Sequence, residues 1–135
     1  METSQLGEVM NVLGHGIDTV DTARFEKLFG DQHSKYLKRY FTDSELGTVS
    51  SDETAFSRLA ARFAAKEAVM KALRHGFGDG LAFTHIEIKI EADGAPTVVL
   101  HNKASEIADK IGIRQWWISI SHSGDVAFAS AIACG

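Results

Sequence analysis

The chain has one cysteine, Cys134, and one proline, Pro96, in 135 residues. A lone cysteine excludes a disulfide framework, and a lone proline excludes a proline-rich linker. No apolar run approaches the roughly 18–20 residues that a membrane helix needs. The segment Met1–Glu8 has acids but no Lys or Arg, so it lacks the basic start of a secretory signal. These absences lead to the expectation of a soluble cytoplasmic protein with no membrane partner. The six histidines lack the spacing of a zinc site. The glycines from Gly76 to Gly80 lack the dinucleotide-binding pattern.

What is present suits one globular domain. Hydrophobic residues make up 44% and charged residues 24% of the chain. Residues 1–10 read as an N-terminal extension and 11–135 as the domain. The formal net charge of −4 argues against a nucleic-acid partner. That sum hides two basic stretches. Arg24–Arg39 carries five bases against two acids, and Thr54–His75 carries five against Glu67 alone. Either they are solvated helix faces or they form a site for an anionic ligand or partner.

Periodicity gives an α+β protein. Asn11–Ile17 reads as a strand. Asp21 or Thr22 can cap a helix reaching about Phe29. Thr42 and Glu45 have the spacing of a capping box. Ala55–Arg74, without Gly or Pro, is the longest helix. Phe83–Glu91 alternates as a strand, and Asp93-Gly94 signals a hairpin turn into Thr97–Leu100. Lys103–Ile111 reads as a helix ended by Gly112. Gln115–Ser121 and Val126–Ala133 read as strands joined across His122–Asp125. The pattern suits an antiparallel sheet with one long helix packed against it.

Three places can carry chemistry. Phe56, Leu59, Phe63, Met70 and Leu73 form an apolar stripe on the long helix, and Glu67 falls inside it. A carboxylate there needs compensation, from Lys71 at i+4 or from a divalent cation. Asp18 is expected at a strand end just before a helix, as a metal ligand or a plain turn residue. Two hard oxygens plus water and phosphate suit Mg²⁺. In Ser119–Gly124, hydroxyls, His122 and turn amides can hold a phosphate; the plainer reading is a polar turn. A Ser–His hydrolase is disfavoured, because Gly-x-Ser-x-Gly is absent. Of the adjacent tryptophans, Trp116 and Trp117, one is expected in the core.

Together the segments resemble the holo-acyl-carrier-protein synthase family, the small phosphopantetheinyl transferases. Three signatures carry the resemblance: Gly14-His15-Gly16-Ile17-Asp18, Arg62-Phe63-Ala64-Ala65-Lys66-Glu67-Ala68-Val69-Met70-Lys71 and Ser119-Ile120-Ser121-His122-Ser123. Phe41–Leu46 and Gly94-x-Pro96 add to it. The resemblance implies an enzyme that moves 4′-phosphopantetheine from coenzyme A to a serine of an apo acyl carrier protein, releasing 3′,5′-ADP. It implies Mg²⁺ bound by Asp18 and Glu67, with Asp18, Glu67 and Lys71 as the catalytic set. Lys71 would neutralise charge on the diphosphate. Arg62, His122 and Ser123 would hold coenzyme A phosphates, and Lys66 would support phosphate or metal placement. A water held by the metal or a carboxylate, oriented by Glu67 or Asp18, would serve as base.

The resemblance further implies that an acidic carrier docks on Arg24 and Lys27 of the first helix. It implies a homotrimer with active sites between subunits, the alanine strand Ala127–Ala133 packing closely there. Fatty-acid and polyketide carriers both remain open. His15 stands where the family has an aliphatic residue. The alternatives are a non-catalytic module that binds coenzyme A or the carrier, and an unrelated Mg²⁺-dependent phosphohydrolase.

Overall fold

The computed structural model describes residues 9–30, 34–49 and 54–135. The first eight residues of the expected extension lie outside them. The order is β1 (Val12–Asp21), α1 (Thr22–Phe29), α2 (Ser34–Tyr40), α3 (Asp43–Gly47), α4 (Ala55–Leu73), a 3₁₀ turn (Phe83–His85), β2 (Ile86–Ile90), β3 (Pro96–Leu100), α5 (Asn102–Ile111), β4 (Gln115–Ser123) and β5 (Val126–Cys134). β1, β5 and β4 form an antiparallel sheet in that spatial order, while β2 and β3 form a separate hairpin. The α+β architecture expected from the sequence is the one observed.

Small residues set the central packing. Successive strand residues face opposite ways. One face of the main sheet presents Gly14 and Gly16 from β1 and Ala127, Ala129, Ala131 and Ala133 from β5, all buried. α4 lies on this face through Ala61, Ala64, Ala65, Ala68 and Ala72, none more than 6% exposed. A Cβ on Gly14 or Gly16 would overlap the carbonyl oxygen of Ala72 or Ala68. The alanine strand expected at a subunit contact therefore packs under the long helix of its own chain.

The opposite face of that sheet is partly apolar, and among the described residues no helix covers it. Ile17 and Trp117 are each 60% exposed, and Phe128 and Ile132 sit with them on the outward side. Trp116 points inward against the core.

A second cluster joins α1, α2 and α4 through Phe25, Leu37, Phe41, Leu59 and Ala60. The capping box at Thr42 is present. Thr42 Oγ1 accepts from Glu45 N at 3.1 Å, and Glu45 Oε1 accepts from Thr42 N at 2.8 Å. Gly112 ends α5 at φ 92°, a left-handed conformation that costs glycine nothing.

Three strands differ from expectation. β1 runs on to Asp21 because Asp18–Asp21 pair with Ala129–Val126 of β5. β4 includes His122 and Ser123, paired with Ala127 and Val126, so only Gly124 and Asp125 form the turn. β2 starts at Ile86, after a 3₁₀ turn that the alternation at Phe83–His85 concealed.

Candidate active site

Asp18 lies within β1, on the face turned toward α4. The close approach at Gly14 and Gly16 brings it beside the long helix. Lys71 reaches across from α4. Its Nζ is 3.1 Å from Asp18 Oδ1 and donates to the Ile17 carbonyl at 2.9 Å. The i+4 partner anticipated for Glu67 thus makes its ion pair with β1. Lys71 keeps 54% of its side chain exposed, leaving ammonium surface available to a ligand.

Glu67 is one helical turn before Lys71, half-buried, and feels both neighbours. Burial pushes its carboxyl above the ordinary glutamate range, the charge of Asp18 adds to this, and Lys71 partly offsets it. The deeply buried charge on α4 is a different one, Lys66. It is 0% exposed and paired with Glu45 at 2.6 Å, with a further bond to the Phe83 carbonyl at 3.0 Å. This enclosure leaves Lys66 no direct contact with a phosphate or metal, so any support it gives to their placement is indirect: its ammonium faces the interior.

Two carboxylates that feel each other's charge beside a single lysine suit a hard cation. Among the described residues no group of three or more His, Cys, Asp or Glu can hold a metal. Asp18 and Glu67 would therefore supply two oxygens, leaving water and phosphate to complete the shell, as Mg²⁺ prefers. The residues present fit that ion.

The other expected residues gather elsewhere. Arg62 and His122 line a cavity of about 670 Å³, together with Arg58, Lys89, Gly94 and Pro96. Arg62 is 7% exposed, and its Nη1 donates to the Glu45 carbonyl at 3.0 Å and to Thr48 Oγ1 at 2.9 Å. Sequence reading missed Arg58 and Lys89 as cavity residues. The basic stretch around Arg58 and the alternation at Lys89 were the available signals. Ser123 is exposed, and it faces the opposite side of the sheet from His122.

α4 separates the two groups. Arg62 and Lys71 are nine residues apart, about 900° or a net half-turn around the helix. Asp18 and His122 sit on strands with β5 between them, roughly 12 Å apart at the backbone. One chain thus carries an acid–lysine group on one flank of α4 and a cationic cavity on the other.

Comparison with known proteins decides the family. A sequence model of the 4′-phosphopantetheinyl transferase superfamily matches residues 14–129. A holo-[acyl-carrier-protein] synthase of Koribacter versatilis is 39% identical over 121 residues, 90% of this chain and 97% of that protein. The chain belongs to the holo-[acyl-carrier-protein] synthase family. The enzyme class implied by the resemblance is the class of this family, and its fold is shared. The holo-acyl-carrier-protein synthase of Plasmodium yoelii superposes with a TM-score of 0.82 at 27% identity, covering 95% of this chain and 98% of that one. That of Helicobacter pylori, solved in complex with coenzyme A, gives 0.76 at 36% identity, covering 88% and 98%.

Among the described residues, no helix is long and apolar enough to cross a membrane. Arg24 and Lys27 line a shallow hollow on α1 with Asp21, Ala23 and Leu28. α1 follows β1 directly, and Asp21, which lines this hollow, ends β1 three residues after Asp18.

Proposed function

We propose that the chain transfers 4′-phosphopantetheine from coenzyme A to a serine hydroxyl of an apo acyl carrier protein, in the cytoplasm. The observation that carries this is the Asp18–Lys71 ion pair between β1 and α4, with Glu67 one helical turn before Lys71 and within electrostatic reach of both. Phosphoryl transfer asks a protein mainly for positioning and charge neutralisation, and this group supplies both.

The serine oxygen bonds to the β-phosphorus of coenzyme A. The bond from that phosphorus to the bridging oxygen breaks, and 3′,5′-ADP leaves. Asp18 and Glu67 would hold Mg²⁺, which would offset the negative charge of the diphosphate. Lys71 donates to the diphosphate oxygens as charge develops on the leaving group. Glu67 orients the water that receives the serine proton. Arg62, His122, Arg58 and Lys89 hold the ribose 3′-phosphate end of the coenzyme in the cavity; Ser123, on the other face of β4, would meet a phosphate only from outside that cavity. Arg24 and Lys27 receive the acidic carrier, a contact that speeds association and weakens with salt.

The site is completed between subunits of a homotrimer. Two features support this: the two residue groups lie on opposite flanks of α4, and the outward sheet face exposes Ile17, Trp117, Phe128 and Ile132. The test is mass spectrometry of apo carrier incubated with this protein, coenzyme A and Mg²⁺. The expected result is a carrier heavier by one phosphopantetheine, and none with Glu67→Ala. Unchanged mass across fatty-acid and polyketide carriers would contradict the proposal.

A further inference from the structure

Glu45 and Lys66 are both fully enclosed, each with a side chain 0% exposed, and they form an ion pair at 2.6 Å. Removing two charges from water is costly. A well-packed apolar pair at such a place is often as stable or more stable, so stability alone is a weak reason for this pair. Its bonding shows another use. Glu45 Oε1 also accepts from Thr42 N at 2.8 Å, and Oε2 accepts from Ile88 N of β2 at 2.8 Å. Lys66 Nζ donates to the Phe83 carbonyl at 3.0 Å, just before β2. The Glu45 carbonyl accepts from Arg62 Nη1. One carboxylate and one ammonium thus tie α3, α4 and β2 together at a single point. Those elements are walls of the coenzyme cavity, which Ser44, Glu45, Thr48, Arg62 and Lys89 line.

Arg62 is aimed by the same arrangement. Its Nη1 is held by the Glu45 carbonyl and Thr48 Oγ1, which leaves the rest of the guanidinium fork to face the cavity. We propose that the buried Glu45–Lys66 pair, with Thr48, is a positioning device: it sets the distance between α3, α4 and β2 and the direction of Arg62, and so sets affinity for the phosphate end of coenzyme A. Neither Glu45 nor Lys66 touches the transferred group. The acid–lysine group across α4 shares none of these bonds, so the device governs coenzyme binding separately from the transfer step. This inference rests on the reading of the cavity as the coenzyme A phosphate site.

The test is steady-state kinetics of three variants with coenzyme A and apo carrier, alongside thermal melts. Arg62→Ala tests the cavity itself. Thr48→Val removes one acceptor of Arg62 at an exposed position. The double variant Glu45→Gln with Lys66→Met removes both buried charges together. A lost hydrogen bond to a charged group corresponds to about a ten-fold rise in KM for coenzyme A, expected for Thr48→Val and for the double variant. kcat and the KM for carrier are expected to stay within about two-fold, a split that a general loss of folding would not give. If Arg62→Ala raises that KM while Thr48→Val and a folded double variant do not, the positioning proposal is overturned and the cavity assignment stands. If Arg62→Ala leaves it unchanged, the cavity assignment fails and takes the proposal with it. Should the double variant not fold, Thr48→Val decides by itself.

Discussion

Gly16 of β1 and Ala68 of α4 are packed backbone against backbone, and a Cβ on the glycine would overlap the alanine carbonyl oxygen. Two residues further along β1, on the same face, is Asp18. The first glycine-rich signature is therefore a spacing device, which lets a strand carry a carboxylate onto the flank of the long helix. Gly16→Ala has to push β1 away from α4. Overpacking of this kind costs about 1–3 kcal/mol, a fall of roughly 2–10 °C in Tm for a domain of this size. Transfer activity is expected to fall by more than the folded fraction, because Asp18 moves away from Lys71. Full activity in a destabilised but folded variant would show that the close contact serves stability only.

The Glu67 carboxyl should report the charge of Asp18. Burial and Asp18 hold the Glu67 carboxyl above its ordinary range. Its raised folded-state value stabilises the fold below the ordinary glutamate pKa, and this contribution is lost as pH rises through the raised value. Asp18→Asn removes one cause, so the Glu67 midpoint should drop in metal-free protein. Carboxyl-resolved NMR titration measures it. An unmoved midpoint would mean that Asp18 and Glu67 do not share a site.

Charge on α1 should govern carrier binding and leave the chemistry alone. Arg24→Glu with Lys27→Glu is expected to raise the KM for carrier at least ten-fold at low salt, with kcat nearly unchanged. The wild type should lose affinity as salt rises, while the variant shows little dependence. Equal salt dependence in both would place carrier docking elsewhere.

Trp117, 60% exposed on the outward sheet face, tests the assembly. Trp117→Asp places a charge in an apolar contact and leaves the face under α4 untouched. Light scattering should report monomer in place of trimer, with secondary structure retained and transfer lost. A fully active monomer would refute a site completed between subunits.

Local signals were the ones the sequence displayed well. The capping box at Thr42, the helix Ala55–Leu73 and the hairpin at Gly94 all follow from near-neighbour chemistry, and all are present. Asp18 is expected at a strand end because a helix cap at Asp21 or Thr22 follows so soon; pairing with β5 carries the strand on to that cap. The burial of Lys66 was hidden because its partner Glu45 is 21 residues away, and no periodicity connects the two. The i+4 spacing of Glu67 and Lys71 suggested an ion pair within the helix, whereas the strand offered Lys71 a carboxylate and a carbonyl together. The alanine repeat of β5 announced close packing but not which neighbour it packs against. In the sequence, Arg62 and Lys71 read together around Glu67; their separation on opposite flanks of α4, and the cavity around Arg62, became visible only once β1, β2 and β4 were in place.

The central claim is that one active site takes Asp18, Glu67 and Lys71 from one subunit and the Arg62–His122 cavity from another. Co-expression of differently tagged Glu67→Ala and Arg62→Ala/His122→Ala chains, with isolation of the mixed assemblies by both tags, tests it most directly. Each variant alone should be inactive in the carrier-mass assay. In a cyclic trimer containing both, about one interface in three joins two intact halves, so mixed trimers should recover about a third of wild-type turnover. Mixed trimers as inactive as the parents would contradict the claim, since a site built within one chain is broken in both.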